Sequence, residues 1–157
     1  MRDANGGEQI VGPERSQLVF RSRDLDDWLV VRRPVNSDVM LLMLKALSIQ
    51  IQPERAPELN VAEVKRLLEA LTESALVQRH DFNEGFDKTR YLNFTFGTED
   101  LKGLWFLIQS TIFHDASFAE SLAKASIIVC EGNDGWNDYL QLFHFDPALP
   151  RDSIDAT

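Results

Sequence analysis

One cysteine in 157 residues leaves nothing for an internal disulfide and cannot build a cysteine-based metal cage. Histidine is also scarce. His80 stands beside Asp81, His114 beside Asp115, and His144 two residues from Asp146. No third ligand follows at metal-binding spacing, and sequence neighbours do not face one another on a helix. Long apolar runs are missing: the densest, Val39 to Ile51, is interrupted by Lys45, Ser48 and Gln50, and falls short of the roughly 18 to 20 residues of a membrane span. Residues Met1 to Gly12 hold acids and glycines but no apolar block, so no signal peptide is expected. There is no Gly-x-Ser-x-Gly, no phosphate loop and no dinucleotide-binding glycine pattern. These absences predict a cytoplasmic chain with no membrane association, no metal and no cofactor.

Positive charge is the next shortage. Lys and Arg number 16 against 25 Asp and Glu, for a net charge of −9. The imbalance is uneven: residues 1–79 carry 11 basic and 12 acidic side chains, residues 80–157 carry 5 and 13. A second half at −8 repels phosphates, which disfavours nucleic acid and anionic lipid and permits a basic partner. Arg21, Arg23, Arg32 and Arg33 are the densest cations, but Asp24, Asp26 and Asp27 lie beside them, so an internal charge network is expected there.

What is abundant is apolar: 44% of the chain is hydrophobic, with ten Phe and three Trp. That supports a core and argues against disorder. The stretch Arg90–Phe145 organises the chain. Tyr91-Leu92-Asn93-Phe94-Thr95-Phe96 alternates as a half-buried strand does. Thr98-Glu99-Asp100 reads as a helix start, and Leu101, Leu104, Trp105, Ile108 and Ile112 recur at helical spacing. Ser117 with Glu120 suggests a second, short helix. Ser126–Cys130 reads as an interior strand, Gly132-Asn133-Asp134-Gly135 as a turn, and Trp136–Phe145 as a last, longer strand.

Earlier in the chain, Gln17–Arg21 and Trp28–Arg33 are short strand candidates. A largely buried helix is expected from Asp38 to about Ile51, stopped by Pro53. Asn60 with Glu63 opens an amphipathic helix through about Gln78. His80–Thr89 reads as a polar surface loop. Its Asp81-to-Asp87 acids resemble a calcium loop, but Gly85 falls one place early and the twelfth position is Leu92, so an acidic turn is the better account.

The expected fold is α+β: a mixed sheet of about five strands with helices packed mainly on one face, in the order β-β-α-α-β-α-α-β-β. A flexible arm, 1–16, and a flexible tail, 147–157, flank a single domain, 17–146. If Tyr91–Phe96 and Ile127–Cys130 are parallel neighbours, the helices between them form a crossover. The last strand, apolar on both sides, should be central or else an edge covered by a partner.

Cys130 ends an apolar strand with no flanking cation, where thiols are inert. One constellation remains. Glu131, Asp134, Trp136, Asp138 and Asp146 gather acids and an indole near the last hairpin, the composition of an interface anchor. The expected function is therefore a non-enzymatic binding protein for a basic protein partner, with homo-oligomerisation open. Size, acidity and the lack of a catalytic set are similar to those of small acidic bacterial immunity proteins, a likeness carried by no motif. The competing class is a small-molecule binder or enzyme whose site assembles only in three dimensions.

Overall fold

A computed structural model describes residues 17–21, 28–32, 44–114, 116–134 and 138–156. The chain divides into two compact units, residues 1–37 and 38–157. In the first, β1 (Gln17–Arg21) and β2 (Trp28–Arg32) pair antiparallel, Gln17 against Arg32 and Arg21 against Trp28. Both lie where the sequence places them, and the acidic turn between them falls outside the described residues.

The second unit is α+β. Its elements are β3 (Lys45–Ile51), α1 (Val61–Ala70), β4 (Arg79–Asp87), β5 (Thr89–Thr98), α2 (Leu101–Thr111), α3 (Ala116–Ala125), β6 (Ser126–Glu131) and β7 (Tyr139–His144). The five strands form one sheet in the order β4-β5-β3-β6-β7, every neighbouring pair antiparallel.

Three sequence expectations change. The helix expected over 38–51 is, where described, strand β3. Leu47, Ile49 and Ile51 alternate with Ser48 and Gln50, the period of a strand. Residues 38–43 lie outside the described region. His80–Thr89 is not a loop but falls mostly in β4, with the hairpin closing at Lys88, whose φ of 56° is left-handed. The sheet is antiparallel rather than mixed: β5 and β6 run the same way but are not neighbours, because β3 sits between them. The element order accordingly gains two strands and loses one helix.

Registry explains the core. Leu47 faces Phe96 and Cys130, Ile49 faces Phe94 and Ile128, and Ile51 faces Leu92, so these side chains share one face of the sheet. They form a single cluster with Val64 and Leu68 of α1, Leu104 and Ile108 of α2, and Leu122 and Ala125 of α3. Trp105 packs half-buried at the rim, edge-on to Phe113 with ring centroids 6.5 Å apart. Two helix starts are visible as caps. Asn60 Oδ1 accepts the Glu63 amide at 3.2 Å, and Asp100 Oδ1 accepts the Gly103 amide at 2.8 Å. The cap of α2 is thus Asp100, two residues past Thr98, whose hydroxyl accepts the Asp100 amide at 3.0 Å.

The opposite face carries a polar row: Ser48 and Gln50 on β3 and Asn93 on β5, all buried, beside buried Tyr91, Ile127 and His144. Ser48 Oγ and Thr95 Oγ1 lie 3.0 Å apart and hydrogen-bond. Gln50 Oε1 has no hydrogen-bond partner among the described residues.

Candidate partner-binding surface

The turn joining β6 to β7 is built from its own polar groups. The β3–β6 ladder ends at Leu47 and Cys130, and the next amide, that of Ala46, is accepted by the Glu131 carboxylate at 2.9 Å. Lys45 Nζ donates to Asn133 Oδ1 close by. The Gly132 amide donates to the Asp138 carbonyl at 2.9 Å, and the Asp134 amide to Asp138 Oδ2 at 2.9 Å. A Cβ at Gly132 would stand 1.9 Å from Asp138 Oδ2, so a larger residue there would displace the carboxylate that holds the Asp134 amide. Two of the acids singled out in the sequence therefore tie the turn together, Glu131 bonding to β3 and Asp138 bracing the loop. Asp134 is exposed. Trp136 lies outside the described residues.

Asp146 does not join them. It follows β7 at the far end of that strand, eight residues from Asp138, a span of about 26 Å if extended. Its amide donates to His144 Nδ1 at 2.9 Å and its Oδ1 accepts the Ala148 amide at 2.9 Å, a local turn. Next door, Cys130 is 1% exposed, and burial pushes its thiol up to about 12, so the thiolate is not formed at neutral pH.

The two outer strands of the sheet are treated differently. β7 is an edge, not a central strand, and the chain covers part of it. The Gln141 amide donates to Asp152 Oδ2 at 2.8 Å, the Asp152 amide to the Gln141 carbonyl at 2.8 Å, and Gln141 Nε2 to the Pro150 carbonyl at 2.9 Å. The Arg151 guanidinium lies 4.4 Å over the Phe143 ring. Nothing comparable covers β4: among the described residues no strand pairs with its outer side.

That edge escaped the sequence reading. On one face of β4 stand Phe82, 40% exposed, and Phe86, 73% exposed, with Glu84 between them. Phe82 leans on Phe94 with ring centroids 4.7 Å apart, and Lys65 Nζ sits 4.6 Å over it. Glu84 pairs with Arg90 at 3.0 Å and Lys65 at 3.9 Å. The hydrogen bond from Arg90 and then the charge of Lys65 hold its carboxyl below the usual range. Gly85 admits the Tyr91 ring, whose hydroxyl would lie 2.4 Å from any Cβ. The acids of the calcium-like stretch thus alternate between two faces of a strand instead of converging. Period-two placement of Phe82, Glu84 and Phe86 was the available signal, masked by turn-forming neighbours.

Against protein-family models, curated proteins and solved structures, the chain finds no match. Among the described residues, no helix is long and apolar enough to cross a membrane.

Proposed function

We propose that the protein is a non-enzymatic binding protein that acts in the cytoplasm and holds a basic protein partner, in the manner of an immunity or antitoxin protein. The observation that carries this reading is the charge distribution, a net −8 over residues 80–157 against −1 over the rest. Complementary charge of this kind speeds encounter and selects against acidic and nucleic-acid partners. The braced turn between β6 and β7 suits the role. Asp138 accepts the amides of Gly132 and Asp134, and Glu131 that of Ala46, so exposed Asp134 stands on a hydrogen-bonded stretch, with Trp136 two residues on in sequence.

Asp134 and Asp138 are not equivalent in the test. Asp138 holds the Asp134 amide, so reversing it disturbs the turn as well as the charge. Asp134→Lys alone is the clean variant. After pull-down with the full chain, association with the captured protein is followed by surface plasmon resonance at several salt concentrations. A basic partner, slower association at higher salt and a slower on-rate for Asp134→Lys are expected. An acidic partner would overturn the electrostatic reading. An unchanged on-rate for Asp134→Lys would remove the turn from the interface.

A further inference from the structure

Among the described residues the sheet's two edges are in opposite conditions: β7 is overlaid by residues 150–152, whereas no strand pairs with the outer side of the nine-residue β4. We infer that β4 pairs antiparallel with β4 of a second copy, about a two-fold axis through Asn83, joining two sheets into one of ten strands. Strand-edge pairing supplies main-chain hydrogen bonds to any extended segment, so the occupant has to be identified by side chains.

Here the strand's own sequence identifies it. Centred on Asn83, Arg79 stands opposite Asp87 of the second copy, and Asp87 opposite its Arg79, so both ends match opposite charges. No like charges stand directly opposite in this register. Moving the centre one residue to Glu84 sets Glu84 against Glu84 and Asp81 against Asp87. Moving it to Phe82 sets Arg79 against Gly85 and loses both ion pairs.

The same register disposes of the exposed rings. A two-fold axis perpendicular to the sheet keeps Phe82 and Phe86 of both copies on one face. Phe82 then lies opposite Glu84 and diagonal to both Phe82 and Phe86 of the second copy, within reach of aromatic side chains. Four phenylalanines cover one another across the junction, which accounts for two large apolar side chains on the outermost strand. Glu84 brings its own cations, Arg90 and Lys65, so it does not oppose the junction.

The register makes the test specific. Full-length wild type and variants are compared by sedimentation equilibrium over a concentration series, with circular dichroism confirming that each is folded. Wild type should be a monomer–dimer equilibrium. Arg79→Asp alone and Asp87→Arg alone each face like charges at both ends and should dimerise at least tenfold more weakly. Mixing the two single variants restores opposite charge at both ends and should recover a dimer close to the wild-type affinity. The double variant R79D/D87R should do the same alone. As an independent readout, Asn83→Cys should give a disulfide-linked dimer under mild oxidation, because position 83 meets itself on the axis. Arg79→Cys should not, and buried Cys130 does not compete. A wild-type monomer at every concentration, or a dimer indifferent to the charge reversals, would overturn the inference.

Discussion

At Gln50, burial and hydrogen bonding are at odds. It lies in the central strand β3, paired with Asn93 on one side and Ile127 on the other, and is 2% exposed with Oε1 unpartnered. A buried acceptor left unmade costs about 1–3 kcal/mol of desolvation. Gln50→Met keeps the length and unbranched shape while removing the amide. Ordering the flexible thioether offsets part of the gain, so the net expectation is stabilisation by about 1–2 kcal/mol. With a urea slope of about 2 kcal/mol/M, the unfolding midpoint should rise by roughly 0.5–1 M at unchanged slope. Ser48 gives the internal control. It sits two residues earlier on the same face, 4% exposed, but its hydroxyl is bonded to Thr95. Ser48→Ala should therefore lower stability by about 1 kcal/mol. Two polar-to-apolar changes on one face of one strand should move the midpoint in opposite directions. A Gln50→Met protein less stable than wild type would refute the reasoning.

Three other outcomes are expected. Leu104→Ala, at a fully buried position in the core cluster, should cost about 2–5 kcal/mol in urea unfolding. Asp100→Ala removes the α2 cap and should cost about 1 kcal/mol, whereas Asp100→Ser should recover most of it. Cys130 is held neutral in the fold to about pH 12 but ionises near 9.0 once unfolded, so its contribution is present below pH 9 and lost as pH rises toward 12. Wild-type stability should fall across that window by about 1.4 kcal/mol per pH unit more than that of Cys130→Ala, measured by urea titration at each pH.

The legible parts of the fold are those where one pattern acts alone. Tyr91–Phe96 alternates without interruption, the α2 stripe recurs at helical spacing, and Asn60 caps α1 as its chemistry predicts. β3 was hidden by its surroundings. Leu41, Leu42 and Leu44 run into Leu47, Ile49 and Ile51, so the apolar residues spread around a helical wheel although the last three alternate. β4 was hidden by composition: an edge strand buries little, so Asp81, Asn83, Glu84 and Gly85 look like turn residues. At the candidate surface, composition grouped Asp146 with the others although it lies past the far end of β7, and could not separate Asp134, which is exposed, from Glu131 and Asp138, which hold the backbone. Side-chain-to-backbone bonds of that kind depend on strand ends meeting, which no local pattern encodes.

The central place of β3 has a consequence for how the chain comes together. It is the first described strand of its unit to be made, yet both of its neighbours come much later: Ser48 waits for Thr95 on one side and for Val129, 81 residues on, at the other. At about 5–20 residues per second, a ribosome takes roughly 4–16 s to deliver that last partner. Pairings so distant in sequence also make the search slow once the chain is free, since long loops must close before any contact rewards them. Through that interval Leu47, Ile49 and Ile51 sit on a strand with an open edge. Synthesis halted before residue 126 would leave that edge open permanently, available to another chain caught at the same stage.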